Sequence, residues 1–541
     1  MDIDTILNGL NESQRLAVTA KDRAILVVAG PGTGKTLTIV RRIAYLLSQG
    51  VRPEDIIAIT FTNRAALELR NRLKVFKDFR GLFTGTFHML GLKIIRENSL
   101  EPFRIITREE QKDIVKNITG RVRSEDIIER ISAIKNSLLV PDEKTMEIFN
   151  MYQEILKKEG AFDYDDLILK ALELLSIPEV QRIYIRPELH LIIDEYQDIN
   201  PLQYKLIKAL SPQNIYAVGD PDQSIYSFRG ANVENFLNFE KEYSSAKRFM
   251  LDTNYRSQAF VVKASELFIE KNLKRIPRVI RPLKAEGKKI KVISVPDEEG
   301  EIQFIINTIE EKLGGTSHYS LFKNNKGTGL QQKGLSFSDM AILMRTNLQA
   351  YQMESSLKAS GIPCYIMGRV INEEIKEALS YINENQNKPL EELIYYLKEK
   401  YNFFRSLIQN YEPSSTDDLL SWLHLVSPQD DTFSGEGVRL LTMHMAKGLE
   451  FSVVFITGLE EGLMPYKDSE IEEERRLLYV SMTRAKEELY LIYSRKRKIY
   501  GKILQQKPSP FLQEIPEDFI ERIYLPDKPQ KRQLGLFTLS S

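Results

Sequence analysis

The residues of this chain whose types and spacing could do chemistry fall in three short stretches. The first is Ala29-Gly30-Pro31-Gly32-Thr33-Gly34-Lys35-Thr36. Backbone N–H groups across such a turn can cradle phosphates, a lysine at position 35 can reach the β- and γ-phosphates, and the Thr36 hydroxyl can ligate Mg²⁺. Glycine is needed because a side chain would stand where the phosphates go. Ala29 occupies the place of the first glycine in the general pattern G-x-x-x-x-G-K-[ST]. The second stretch, LHLIIDEYQD at 189–198, is an apolar run ending in Asp194 and Glu195. Asp194 suits Mg²⁺, which takes few carboxylates and keeps several waters, and Glu195 suits orienting or deprotonating an attacking water. The third, GDPDQSIYSFRGA at 219–231, sets Gln223 as a polar γ-phosphate sensor a few residues from Tyr226 and Phe228, whose rings can stack on bases. Upstream, Gln14 can both donate to and accept from an adenine edge, or it can be an exposed helix glutamine.

The elements that must hold these groups follow from the pattern around them. An apolar strand (24–29) before the glycine turn and a periodic apolar helix after it form the strand–loop–helix context that a phosphate loop requires. Asn11 is a suitable N-cap for the helix carrying Gln14. Further apolar strands at 56–61 and 215–218, with another short segment ending in TGTFH at 84–88, point to an α/β fold with parallel sheets, in which ligands bind outside the carboxyl ends of the strands. Thr62, Asn63, Thr86 and His88 fall at such ends. With Phe61 and Phe87 they could contact a nucleic-acid strand, or they could be strand caps and core aromatics. From about 93 to 186 the sequence becomes charged and helix-forming, as in an insertion. Within it Phe162-Asp163-Tyr164-Asp165-Asp166 gathers carboxylates that are either metal ligands or helix N-terminal charges. The stretch 313–334, rich in Gly, Asn, Gln and Ser, reads as a loop, and the basic run 271–289 could touch phosphates or form a solvated face.

With 541 residues, several domains are expected. Seventy-five Lys+Arg balance 75 Asp+Glu, so affinity for nucleic acid would come from a local surface and not from a global field. The one cysteine, Cys364, excludes an internal disulfide framework, and no Cys/His spacing suggests zinc. An acidic N-terminus unlike a signal peptide and the absence of a long apolar run give the expectation of a cytoplasmic protein.

Taken in order, LNESQ, AGPGTGKT, ITFTNRAA, GTFH, FDYDDLI, IIDEYQD, VGDPDQSIYSFRGA, NYRS (254–257), LTMHMAKGLEF (441–451) and EERRLLYVSMTRAK (473–486) resemble the motifs of the UvrD/Rep/PcrA-type superfamily 1 DNA helicases. The resemblance implies an α/β fold of two RecA-like P-loop lobes that clasp Mg-ATP, each carrying a helical insertion, and 3′ to 5′ movement on single-stranded DNA with unwinding of duplex. The implied segments are a first lobe at 1–92 and 188–253 with its insertion at 93–187, a second lobe at 254–374 and 437–525 with a reduced insertion at 375–436, and a tail at 526–541. It further implies that nucleotide is bound by Gln14, Gly30, Gly32, Thr33, Gly34, Lys35 and Thr36, with Tyr255 stacked on adenine and Glu450 on the ribose. Arg256 and Arg484 would lie at the γ-phosphate, and Thr36 and Asp194 would hold Mg²⁺. Phe61, Asn63, His88, Tyr226, Phe228, Arg229, Thr442, His444 and Tyr500 would contact DNA. Phe228 stands where many relatives have tryptophan, and Pro510 replaces the arginine of the family's usual PSRFL.

About 60 residues in the second insertion are marginal for an independent core, so that unit is expected to lean on its neighbours, with Trp422 packed between its helices. Unwinding by a single copy is then expected to be weak or to depend on a loading partner or a second copy. Two other function classes share parts of this pattern. One is an ATP-driven translocase that remodels RNA or duplex complexes without processive unwinding. The other is a nucleotide-gated binding module, disfavoured because Lys35, Thr36, Asp194, Glu195, Gln223, Arg256 and Arg484 are all present.

Overall fold

A computed structural model describes residues 2–527 except 77–78, 100–102, 121–123, 315–334, 402–403, 406–407, 409–412, 414, 432–434 and 500. Tyr500, most of the loop at 313–334 and all but the first two residues of the 526–541 tail therefore lie outside the described residues. Contacts divide the chain into two compact units: Met1–Arg256 with Glu270–Lys284 and Met367–Gly435, and Ser257–Ile269 with Ala285–Ile366 and Glu436–Ser541. No helix among the described residues is long and apolar enough to cross a membrane.

The first unit is built on six strands: β1 (Ala24–Ala29), β2 (Ile56–Ile59), β3 (Phe83–Gly85), β4 (His190–Ile193), β5 (Asn214–Gly219) and β6 (Lys247–Leu251). They lie in the order β3-β2-β4-β5-β1-β6, and every pairing is parallel. Parallel sheets are covered by helices on both faces, which is why β1 reads as an unbroken apolar run and all six of its residues are buried. Because the strands all point the same way, their carboxyl ends gather along one edge. The phosphate loop leaves β1 there, Asp194 leaves β4, and Asp220 leaves β5.

The first helical insertion is tied together by a buried cation. Lys135 Nζ lies 2.6 Å from Asp163 and 2.7 Å from Asp166, and the Tyr152 hydroxyl donates to Asp163. Asp165 accepts from Ser132 Oγ and Asn136 Nδ2. Burial pushes the Asp166 carboxyl up to about 6 against the pull of Lys135. The carboxylates of FDYDD thus form an ion-pair and hydrogen-bond cluster, and no group of three or more metal-ligating side chains occurs among the described residues.

Segment 367–435 belongs by its contacts to this same unit, although in sequence it interrupts the strands of the other. Its helices Arg369–Glu384, Leu390–Lys400 and Thr416–His424 enclose a small core of Ile371, Leu393, Leu397, Phe404, Leu419 and Trp422, against which Leu67 and Met89 pack. Phe404 meets Trp422 edge-on at 5.7 Å. Polar anchors fix the docking. Asn63 Nδ2 donates to Leu425 O and to Asp430, the Arg64 N–H donates to Asp430 at 2.8 Å, and Arg96 pairs with Asp418. Asp430 thereby supplies an anion to the first turn of helix Asn63–Leu73, where free N–H groups and the helix dipole favour negative charge.

The second unit carries seven strands: β7 (Ile290–Val295), β8 (Met340–Met344), β9 (Cys364–Ile366), β10 (Val438–Thr442), β11 (Phe451–Ile456), β12 (Ala485–Ser494) and β13 (Ile520–Tyr524). Their order is β9-β10-β8-β11-β12-β7-β13, again wholly parallel. Helices Glu298–Lys312 and Asn347–Ala359 help to cover it, and Ile305, Ile309, Met353 and Leu357 join its core. Arg497 is buried among Glu301 and Glu460 and ties the helix Glu298–Lys312 to the chain around β12.

Asp430→Ala should lower stability by about 2–3 kcal/mol, because it strips partners from the Arg64 N–H and the buried Asn63 amide. Urea unfolding followed by emission of Trp422, the chain's one tryptophan, reads this directly. An unchanged midpoint would mean that Asp430 does not anchor the segment.

Candidate nucleotide site and nucleic-acid face

The phosphate loop turns sharply into helix Lys35–Ser48, and two of its residues need glycine for different reasons. Gly32 (φ 69°) and Gly34 (φ 88°) hold left-handed backbone, and a Cβ on Gly32 would fall 2.6 Å from Arg256 Cβ and 2.8 Å from Asn254 Nδ2. The loop is gripped from several directions within the first unit. Gln14 Nε2 donates to Thr33 O at 2.9 Å, Asn254 Nδ2 donates to Pro31 O at 2.7 Å, and the Tyr255 N–H donates to Gly32 O at 2.9 Å. Thr33 Oγ1 closes the turn on Gly30 O. The loop's glycines leave no room for a Cβ against the side chains that hold it, and its backbone at the N-terminus of a fourteen-residue helix fits a polyphosphate.

Gln14 has a second task. Its Oε1 accepts the Asn11 N–H while Asn11 Oδ1 accepts the Gln14 N–H, a capping box that starts its helix. The side chain placed as a base reader is buried and also joins that helix to the phosphate loop. Tyr255 is 39% exposed, and its hydroxyl accepts from Asn11 Nδ2 at 2.7 Å, so an aromatic face stands near the Gln14 helix.

The acidic pair sits at the end of β4. Asp194 N–H continues the sheet by donating to Ile59 O, and its Oδ1 accepts the Glu195 N–H. Glu195 has φ 51°, a left-handed conformation that costs a non-glycine residue energy and that the surrounding contacts must impose. The strained turn aims its carboxylate toward Lys35 Nζ, 3.8 Å away. Gln197, wholly buried, then links this strand to the next: its Nε2 donates to Glu195, and its Oε1 accepts the Asp220 N–H at 3.0 Å. Gln223 Nε2 donates to Asp220 Oδ2 at 2.6 Å. Arg278 and Lys35 hold the buried Asp220 carboxyl below its ordinary range against burial. Lys35, Glu195, Gln197, Asp220 and Gln223 therefore form one connected polar array at the strand ends.

Thr36 opens the helix beside this array, and Arg256 N–H donates to Asn254 Oδ1. Arg484 and Glu450 lie in the second unit. Arg484 is buried, with Nε on Val480 O, Nη1 on Leu449 O and Nη2 on Thr483 Oγ1. Glu450 is exposed and pairs with Lys486 at 2.8 Å.

Of the residues expected on DNA, four form a cluster in the first unit. The rings of Phe61 and Tyr226 stack at 4.9 Å, Tyr226 and Phe228 lie 6.0 Å apart, and the Arg229 guanidinium is 5.5 and 5.6 Å from those last two rings. Tyr226 is buried and its hydroxyl accepts from Gln429, whereas Phe228 is 65% exposed. Asn63 is buried with its amide donating to Leu425 and Asp430, so in this structure it serves the docking of segment 367–435. His88 lies against the Tyr164 ring at 4.2 Å, and burial pushes its imidazole down to about 3, leaving it neutral at physiological pH. Thr442, at the end of β10, and His444 are half-buried in the second unit. Pro510 opens a short turn that buries Phe511 and Leu512.

Asn254, Gln197, Asp220 and Arg278 were not among the site residues drawn from the sequence. Asn254 and Gln197 lie inside the NYRS and DEYQD stretches, which was their only signal. Arg275 and Arg278 lie in the basic run read as phosphate-binding or solvated. Instead, both are buried on carboxylates: Arg275 on Asp222, and Arg278 on Asp220 and Asp222.

Comparison with known proteins covers nearly the whole chain. The model of the UvrD/REP helicase N-terminal domain matches residues 10–244, and that of the UvrD-like helicase C-terminal domain matches 249–391 and 372–496. Two similar proteins, from Staphylococcus aureus (strain Mu50 / ATCC 700699) and Staphylococcus epidermidis (strain ATCC 35984), are each named ATP-dependent DNA helicase PcrA. Both are 30% identical to this chain, across 96% of it and 88% of their own length. With both halves matched and the phosphate-loop array in place, the chain belongs to the UvrD/Rep/PcrA-type superfamily 1 helicases.

Proposed function

We propose that this protein is an ATP-dependent DNA helicase that hydrolyses Mg-ATP to move 3′ to 5′ along single-stranded DNA and to unwind duplex. The observation that carries the reading is the connected array in which Lys35, Glu195, Asp220 and Gln223 converge at the strand ends beside a side-chain-free phosphate cradle. The direction of movement rests on the family resemblance. Thr36 and Asp194 are the residues that would hold Mg²⁺, which shields phosphate charge when bound. Lys35 neutralises the β- and γ-phosphates, Glu195 orients the attacking water or takes its proton, and Gln223 reads the γ-phosphate. Arg256 and Arg484 supply positive charge where negative charge develops on the transferring group, a device worth ~10³–10⁵ in rate in other phosphate-loop enzymes. Phe228, exposed and backed by Tyr226, Phe61 and Arg229, offers the base-stacking face. The test of substrate class is ATPase stimulation by single-stranded DNA, duplex DNA and RNA. Stimulation by RNA or duplex alone would replace this reading with that of a remodelling translocase.

Lys35→Ala and Glu195→Gln should each reduce DNA-stimulated hydrolysis by at least ~100-fold. Glu195→Gln should retain ATP binding by fluorescent-nucleotide titration. Substantial turnover in either variant would show that the site is misplaced.

Phe228→Ala should weaken single-stranded DNA binding by about 1–3 kcal/mol while leaving DNA-independent ATPase nearly intact. Fluorescence anisotropy with a labelled oligonucleotide measures this. Unchanged affinity would assign the ring to packing only.

Because segment 367–435 is anchored in the first unit through the Asp430 carboxylate, the Asp431 carbonyl and Asp418, we expect it not to swing against the first helical insertion when a junction is bound. Single-molecule distances between labels on the two segments should stay constant, with weak unwinding by an isolated copy. A large junction-dependent change together with processive unwinding by one copy would refute this.

A further inference from the structure

Asp220 directly follows strand β5, and two residues on stands Asp222; both are almost completely desolvated, with side chains at most 1% exposed. Two carboxylates so close and so buried need cationic partners. These arrive from a strap, Glu270–Lys284, which contacts assign to the first unit although it follows the helix Ala259–Ile269 of the second. Ile276 of that strap sits in the first unit's core, and the strap is stitched down by Arg281 N–H to Asp252 O and Leu283 N–H to Asn254 O. Between these fixed points Arg278 reaches Asp220 with both terminal nitrogens and touches Asp222 at 3.2 Å, while Arg275 Nη2 holds Asp222 at 2.8 Å.

The geometry places Arg278 against two parts of the nucleotide site at once. On one side, the Asp220 carboxylate that it grips is the same group that accepts Gln223 Nε2 at 2.6 Å. On the other, a Cβ on Gly30 of the phosphate loop would fall 3.5 Å from the Arg278 guanidinium carbon and 2.1 Å from Ile280 Cδ1, so strap and loop are in close contact. A planar fork meets the two oxygens of Asp220 with two separate nitrogens and still reaches Asp222, fixing the carboxylate plane, whereas a lysine would make every contact from one nitrogen and leave that plane free to turn.

We propose that Arg278 is a positioning residue for ATP hydrolysis, fixing the Asp220 carboxylate so that the Gln223 amide is held at the γ-phosphate position. This rests on the reading of Gln223 as the γ-phosphate sensor. Arg278 contacts no reacting atom in this scheme; it acts through Asp220. Arg275 has the separate task of neutralising Asp222.

The test uses the full chain and single-stranded-DNA-stimulated ATPase, with nucleotide affinity measured by fluorescent ADP and folding by thermal melting. Arg278→Lys keeps the charge but loses the fork; it should fold, bind nucleotide within about threefold of the parent, and lose kcat several-fold. Arg278→Ala should lose kcat by ~10-fold or more with a similarly small change in affinity. The deciding measurement is the double variant. If Arg278 works through Gln223, then Arg278→Lys combined with Gln223→Ala should be no slower than Gln223→Ala alone. Additive losses, or a fall in affinity and melting temperature that tracks the loss of kcat, would overturn the proposal and leave Arg278 as a structural ion pair. Normal turnover in Gln223→Ala would instead refute the sensor reading on which the proposal stands. Impaired Gln223→Ala with unimpaired Arg278→Lys and Arg278→Ala would refute the positioning role alone.

Discussion

A helix can present its N-terminal amides to phosphates only if nothing but backbone stands in front of them, and much of the first unit is arranged around that requirement. The loop between β1 and its helix has glycine at the points of closest approach, and bare backbone has little packing of its own to keep it in shape. Its rigidity is therefore imported. Gln14, Asn254 and the Tyr255 amide each engage one of its carbonyl oxygens, and Ile280 crowds Gly30. The same constraint explains why a parallel sheet suits the task. With all six strands aligned, the loop, the acid pair and Asp220 emerge side by side without any long side chain having to reach across the sheet.

Electrostatics completes what the backbone begins. The strand ends gather Asp194, Glu195, Asp220 and Asp222, a negative cluster at a place meant for a polyanion. Lys35, Arg275 and Arg278 pair with three of these four carboxylates, Glu195, Asp222 and Asp220. Gln197, neutral and with both donor and acceptor used, joins the two strand ends without adding charge. The strained backbone of Glu195 belongs to this economy, since its carboxylate faces Lys35 only because the turn after β4 is forced into a left-handed step.

How much of this was legible in the sequence divides by range. Motifs whose parts are adjacent were readable: the glycine turn with Lys35 and Thr36, the acids closing an apolar strand, the parallel α/β class, and the helical insertion. What could not be read were partnerships across long separations. Nothing local marks Arg278 as the partner of Asp220, 58 residues away, or Lys135 as the counter-ion of Asp163 and Asp166: most of the basic run is solvated and Asp166 does open a helix, but the buried ion pairs within each run have partners that the local pattern does not show. Asn63 shows the same limit from the other side. Its place at a strand end was legible, but its amide partners, Leu425 and Asp430, come from a segment that the motif order assigns elsewhere.

That last pairing has a consequence for how the chain is made. Asp430, which bonds the first turn of helix Asn63–Leu73, is 367 positions downstream of Asn63, and β1 lies between strands β5 and β6, both formed far later in the chain. During synthesis from the N-terminus, the ribosome must therefore release most of the polypeptide before the first unit can reach its final form. Until then the edges of β1 and the face carrying Leu67 and Met89 are open to wrong partners. A fold dominated by such distant pairings matures slowly, and its nascent state, more than its finished one, sets the demand for chaperones.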